Sequence, residues 1–488
     1  MRRTRRAFVG RVAGIAGVAA GGALPAACGA SDATDSGGAG PAKFATPVTV
    51  SYLMWASTSA VEQAQIRHLA DKLTARQPNL TVELAVGSAQ FDDQLLAMYS
   101  GGTPPDTWQA SSDNYKGYVA KDMLYDLAPF TRRDSTDFGD IYPFLTSAYR
   151  YQNGTYGWPF GGGTVVLYYN KSLYQREGLT DPNDLAAQKK WDFGALLDAA
   201  RRTTKRDAGG GVTQWGLGTI GYWQPWIWAA GGELFDAGMT KALLDQPRAI
   251  EGMQFEADLY ARHGVAALTD AQRGGQNGFA AFDQGLAAAY LHGTWQIDDR
   301  RKNAAFEWDI APFPAGPRGD RATISPPGSI GISKPTRVAD ATWEWLKGYL
   351  GRDAARGLLI ETGSIAGSKQ TMYKGVMTDP KVLAALKANP KPAHFDVFLD
   401  QQPYARVRPL LPPGGPEINK AIGEQQTLLY AGKITAQEAG GAMTGRINDG
   451  LKANAAERVR RRSRGRTAPR GGRAARRRRW RRSTRRSR

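Results

Sequence analysis

The chain has 488 residues, 42% of them apolar, which suffices for two or three domains of roughly 100 to 200 residues each, with a sizeable core. Its net charge of +19 suggests a nucleic-acid binder, but the charge sits at the ends. The 17 arginines of residues 458–488, with Arg2, Arg3, Arg5, Arg6 and Arg11, exceed the whole net charge, so the body is slightly acidic and offers no basic face to a phosphate backbone.

Residues 1–28 read as an export signal: a basic start, a Gly- and Ala-rich middle and small residues before a break. The stretch is too weakly apolar for a membrane span, which needs about 20 strongly apolar residues. Arg5 and Arg6, followed by an apolar run, resemble a twin-arginine signal. Cys28, the single cysteine, ends "LPAAC" and resembles the lipidated cysteine of a bacterial lipobox, with Pro25 where that pattern has Leu. Residues 29–47 are Gly, Ala, Ser and Asp rich, a flexible tether.

From Val48, "VTVSYLMW" predicts a strand, and Val61, Ile66, Leu69 and Leu73 follow at helical spacing. "LTVELAV" predicts a strand, "FDDQLLAMYSGG" a helix stopped by Gly101 and Gly102, and "PPDTWQAS" another strand. This alternation predicts an α/β domain with a largely parallel sheet. A second unit follows: "WDFGALLDAARRTT" as a helix opened by Asp192, "WGLGTI" as a strand, and "GYWQPWIWAAGGELFD" as an aromatic helix and turn. "LAAAYLHGTW" and "WDIAPFPAGP" read as strands leading to loops, "ADATWEWLKGYLGRDAARGLL" as a helix, and residues 378–455 as mainly helical.

"GTYGWPFGGGTVVLYYNKSLY", residues 154–174, places three glycines before a strand. A Walker loop or dinucleotide fingerprint needs its glycines before a helix, so this is not a phosphate cradle. His68, His263, His292 and His394 are dispersed without HExxH spacing, so no metal and no cofactor is expected. Trp55, Trp108, Trp158, Phe160, Trp223, Trp226, Trp228 and Trp295 stand at strand ends and Gly-rich turns. For each, core packing is the alternative to ligand contact. A sugar presents an apolar face to stack on aromatics and hydroxyls for Asp, Asn, Glu or Gln; Asp113, Asn114, Glu233, Gln296 and Asp298 lie close by in the chain.

The phrases "GGTPPDTWQASSDNYKGYVAKDMLYDLAPF", "GTYGWPFGGGTVVLYYNKSLYQREGL", "WQPWIWAAGGELFD", "AAYLHGTWQIDD" and "GSIGISKPTRVADATWEWLKGYL" occur in an order that resembles the extracellular solute-binding proteins of bacterial ABC importers. The resemblance is to their sugar-binding, maltose-binding-protein-like branch, from about Val48 to Ala455. It implies an α/β, two-lobed periplasmic-binding-protein type fold with a ligand cleft between lobes joined by hinge strands. The first lobe would comprise 48–160 and 328–375, the second 161–327 and 376–455, and 456–488 would be a disordered Arg-rich tail. The glycines of 161–163 would lie on a hinge strand.

It also implies ligand contacts at Trp55, Asp113, Asn114, Trp158, Phe160, Gly163, Trp223, Trp226, Glu233, Trp295, Gly328 and Ser329. Trp295 would stack on a sugar, while Asn114 and Gly163 stand where maltose binders carry charged residues, implying a different sugar. The expected partners are a sugar, most simply a neutral oligosaccharide, and an ABC permease. A lipid anchor at Cys28 would hold a monomer on the outer face of the membrane. A glycosidase, needing two carboxylates about 5 to 10 Å apart, is the enzymatic alternative; a polyol or sugar phosphate is the alternative ligand. Nucleic acid is not expected as a partner despite the tail.

Overall fold

The computed structural model describes residues 44–111, 114–151, 154–273, 277–326, 328–407 and 415–467. The expected export signal, Cys28 and most of the Arg-rich segment lie outside the described residues. Ten strands build two sheets: β1 (Val48–Met54), β2 (Leu80–Val86), β3 (Thr107–Ser111), β4 (Trp158–Phe160), β5 (Val165–Asn170), β6 (Lys205–Arg206), β7 (Val212–Ile220), β8 (Ala287–Gly293), β9 (Trp308–Ala311) and β10 (Gly328–Ile332). The first sheet has the order β2-β1-β3-β10-β4 and the second β9-β5-β8-β7-β6.

Neither sheet is largely parallel, a correction to the sequence expectation. β1 pairs in parallel with β2 and β3, and β8 with β7, but β10, β4, β5, β9 and β6 join antiparallel. The reason is connectivity. The chain leaves the first sheet after Phe160, enters the second at Val165, and returns after Ala311 at Gly328, so the strands flanking each crossing run against the βαβ units.

Helices cover the sheets where sequence period and caps agree. In α1 (Ala60–Arg76) the Ser59 hydroxyl accepts from the Glu62 amide at 3.3 Å, and Ile66, Leu69 and Leu73 face the core. They meet Tyr52, Trp345 and Tyr349, the latter two rings stacked at 5.0 Å and carried on α8 (Ala339–Leu350). In α3 (Phe193–Thr203) the Asp192 carboxylate accepts from the Ala195 amide at 2.9 Å, and Leu196, Ala199 and Ala200 are buried. β5 is buried on both faces: Val165, Leu167 and Tyr169 join the second core, while Val166 and Tyr168 face the first.

Five more helices lie between these elements, of which the last two line the site. They are α2 (Phe91–Ser100), α4 (Gln224–Ala229), α5 (Pro247–Tyr260), α6 (Gly278–Asp283) and α7 (Ile297–Asn303). After α8 come α9 (Arg352–Thr362) and α10 (Pro380–Lys387), and the chain closes with α11 (Gly415–Tyr430) and α12 (Ala436–Thr467). Val376, Met377, Val382, Leu386 and Phe398 share the core of α8 and α9. α11 and α12 pack on the second core through Ile418, Leu429, Ala439 and Met443.

The glycine segment is the first crossing. Gly161 and Gly162 have φ of +116° and +111°, values side chains with a Cβ rarely adopt. Their carbonyls accept from the Thr371 hydroxyl at 3.2 Å and the Gln402 amide at 2.6 Å respectively. A Cβ on Gly162 would lie 2.5 Å from the Thr371 carbonyl oxygen.

Candidate functional site

A cavity of about 720 Å³ opens between the two sheets. Its first wall starts where β1 ends. The Trp55 amide donates to Gln109 Oε1 at 2.8 Å, and Gln109 Nε2 donates to the Tyr52 hydroxyl at 2.9 Å, so a buried side-chain amide fixes the turn that presents the indole. Phe160, at the end of β4, packs against Trp55 with ring centroids 5.7 Å apart. Behind both rings the Lys369 ammonium, 4.9 Å from the Phe160 ring centre and 5.7 Å from that of Trp55, is ion-paired with Glu62. Ser57, Thr58 and Ser59 add hydroxyls to this wall.

The opposite wall is built where β8 ends. A single turn, Thr294–Gln296, leads directly into α7, and Trp295 folds back over Gly293, where a Cβ would sit 2.1 Å from the indole. Glycine is therefore required there by close approach. Tyr222 and His292 pack against the indole, the His292 ring 5.5 Å from it, and Phe279 packs on His292 at 4.8 Å. Asp283, at the end of α6, is ion-paired with Arg300 of α7 at 3.1 Å.

Electrostatics on this wall are dominated by desolvation. Burial pushes the Asp283 carboxyl up to about 6, opposed by Arg300, and raises Asp299 as well. Burial, reinforced by Arg300, lowers His292 to about 4, so the imidazole is neutral at neutral pH. His292 Nδ1, Asp283 Oδ1 and Arg300 Nε are buried with no hydrogen-bond partner among the described residues. Both cations of the cavity, Lys369 and Arg300, are thus paired with carboxylates. What remains is aromatic surface edged by hydroxyl, amide and carboxylate groups, suited to an apolar face ringed by hydroxyls.

Of the residues expected from sequence, Trp55, Phe160, Gly163, Trp295 and Gly328 line this cavity. Trp158 does not: it is 1% exposed and packs on Phe138 and Trp343. Trp226 is fully buried among Phe193, Phe255 and Phe313, because α4 turns it toward the second core. Trp223 is half-buried against that core, and its neighbour Tyr222 takes the cavity position. Asn114 is hydrogen-bonded to Asp92 of α2. Glu233 is held by Arg406 in a two-pronged ion pair at 3.0 and 2.6 Å. Ser329 is buried within β10, and Asp113 lies outside the described residues.

Sequence reasoning did not find Glu62, Tyr222, Phe279, Asp283, His292, Asp299, Arg300 or Lys369, all of which line the cavity. The available signal was the turn "GTWQ" running directly into a helix, which obliges α7 to present a second turn of side chains beside Trp295.

Residues 56–356 match the family model described as bacterial extracellular solute-binding protein. A curated relative from Brucella abortus is 25% identical over 285 residues, covering 57% of this chain. The chain spans 64% of that relative's length. The maltodextrin-binding protein of Bacillus subtilis is 24% identical over 307 residues, covering 61% of this chain and 69% of that one. Among solved structures, an ABC substrate-binding protein from Listeria monocytogenes in complex with cycloalternan superposes with a TM-score of 0.72 at 19% identity, covering 83% of this chain and 99% of that one. With the family model spanning more than half of the residues, and a two-lobed fold enclosing a cleft, this chain belongs to the bacterial extracellular solute-binding proteins.

Proposed function

We propose that the cavity binds a neutral oligosaccharide and that the loaded protein delivers it to an ABC import permease. The observation that carries this reading is the pair of facing aromatic walls, Trp55 with Phe160 and Trp295 with Tyr222 and Phe279, in a cleft whose two cations are already paired with acids. Stacking and desolvation supply affinity, and Ser57, Thr58, Asn277, Gln296 and Asn303 select among hydroxyl patterns. An anionic ligand would have to compete with Glu62 and Asp283 for those cations. The saccharides named for the Bacillus and Listeria proteins support the same ligand class.

Closure of the lobes around the sugar is a population shift, driven by the difference in affinity between open and closed forms. No step breaks a bond. Trp55, Phe160, Gly163, Trp295 and Gly328 are the contacts we favour, with Asp113 as a hydroxyl acceptor. Lipidation of Cys28 would keep the protein on the outer face of the membrane.

The test is a titration of tryptophan fluorescence and heat against mono- and oligosaccharides, with sugar phosphates alongside. A saturable signal with one neutral sugar, lost in Trp295→Ala and with the sugar recovered uncleaved, supports the reading. Cleaved sugar, or tight binding confined to the phosphorylated compounds, overturns it.

A further inference from the structure

The two cavity walls are joined by a polar bridge that does not touch the cavity. α1 carries Glu62 on the cavity side, and one turn later Gln65 Nε2 donates to the Ser364 hydroxyl at 2.7 Å. That hydroxyl donates to Asp298 Oδ2 at 2.8 Å, and the Ile365 amide donates to the same oxygen at 2.9 Å. Asp298 belongs to α7, the helix whose other face presents Asp299 and Arg300 to the cavity. The remaining Asp298 oxygen accepts from Arg301 Nη1 at 2.8 Å.

Arg301 makes the bridge wide. Its Nε donates to the Lys391 carbonyl at 2.7 Å, its Nη1 to Gly363 at 3.1 Å and its Nη2 to Leu386 at 3.0 Å. Gly363 is the left-handed C-cap of α9, and Leu386 lies in the last turn of α10. A guanidinium therefore sits on the negative ends of two helices, held in position by a carboxylate of its own helix. Both side chains are 9% exposed. Buried charges satisfied in this way tolerate only a narrow range of geometries, because a buried donor left unpaired loses its hydrogen bond to water without replacing it.

By chain order α7, between β8 and β9, falls in the second lobe, and α1 and α9 fall in the first. We infer that Gln65, Ser364, Asp298 and Arg301 are positioning residues: their hydrogen bonds set the spacing of the two cavity walls, and opening or closing the cleft must proceed around or through them. This rests on the binding reading for its importance to affinity, but the bridge itself is testable without any ligand.

The experiment measures the distance between spin labels on the two lobes, at Glu83→Cys and Asp198→Cys in a Cys28→Ser background, by electron double resonance of the unliganded full chain. Ser364→Ala and Gln65→Ala are the mild variants, and Arg301→Lys and Asp298→Asn the strong ones. The expected result is a broadened or displaced interlobe distance in Ser364→Ala at nearly unchanged Tm, and a larger displacement in Arg301→Lys if it folds. A merely structural role would lower Tm and leave the distance distribution of the folded protein as it was; that outcome overturns the inference. Failure of every sugar to bind would reject the proposed ligand class and leave the distance result standing.

Discussion

Asp283 and Arg300 meet at 3.1 Å on the second-lobe wall, and the ion pair does not prevent burial from pushing the Asp283 carboxyl up to about 6. A carboxyl raised in the folded state binds its proton more tightly there than in the unfolded chain, so its contribution to stability is full at about pH 4 and is lost as pH rises toward 6. His292, lowered to about 4, acts in the opposite direction: the folded state binds fewer protons, so stability rises with pH from about 4 to the ordinary imidazole range. Asp283→Asn should therefore make Tm climb more steeply between pH 4 and 6, and His292→Phe should make it climb less or fall. Calorimetric melting at half-unit pH intervals checks both signs, and parallel profiles for all three proteins would refute them.

Two tryptophans that look alike in the sequence should separate cleanly. Trp226 is fully buried in the second core, and Trp226→Ala should lose about 3–5 kcal/mol of stability by leaving a cavity. Trp295 lies at the cleft surface, so Trp295→Ala should keep most of the stability and weaken sugar binding by about tenfold or more, the loss of one stacked ring. Urea unfolding and calorimetric titration of both variants decide the matter.

The first crossing gives a third expectation. At Gly162, φ is +111° and an added Cβ would meet the Thr371 carbonyl oxygen at 2.5 Å. Gly162→Ala should cost about 1–3 kcal/mol from the unfavourable dihedral alone, with the clash added to it. Gly117→Ala, in a short helix with open space around the position, is the control and should be neutral or slightly stabilising. Equal urea midpoints for the two variants would show that the crossing relaxes without cost.

Removal of residues 456–488 should leave ligand affinity intact. Every described residue lining the cavity lies between Trp55 and Lys369, and among the described residues α12 meets the second core through Ala436, Ala439, Met443 and Ile447. The lost arginines should appear only in salt-dependent retention on polyanions, which scales with the number of cations. A chain ending at Ala455 that bound sugar at least tenfold more weakly would place the tail at the site.

What the sequence disclosed follows the range of its physical signals. Helices such as α1 and α3 carry their start and buried stripe within one segment, Ser59 with Ile66 and Leu69, Asp192 with Leu196 and Ala200, and were legible. Trp55, Phe160 and Trp295 reach the cavity because each ends a strand at the same edge of its sheet, a position readable from pattern. Trp158 and Trp226 are equally aromatic in the sequence, but Trp158 starts its strand and packs on Trp343, and Trp226 sits in a helix against Phe313, so both complete cores that no local pattern announces. Lys369 was invisible for another reason. It is 307 residues from its partner Glu62, and only the returning chain brings the two together. The direction of the sheet strands was misjudged on the same ground: antiparallel entry is set by crossings between lobes, which no local period encodes.

That pair supports the last prediction. Glu62 and Lys369 are 7% and 3% exposed, and the ammonium also lies against the Phe160 and Trp55 rings. Removing one partner strands the other charge in a poorly solvated place, so Lys369→Met and Glu62→Met should each cost about 3–5 kcal/mol. The double variant, Lys369→Met with Glu62→Met, should recover most of that loss, since an apolar pair of similar volume avoids two desolvation penalties. Stability alone would then be restored while the wall behind Trp55 has lost its cation. If the double variant regains its Tm but binds sugar weakly, the pair serves the ligand by holding Phe160 and Trp55 in place. If it regains both, the pair is structural. Additive losses in the double variant, measured by urea unfolding as a double-mutant cycle, would show that the two charges do not interact across the cavity wall.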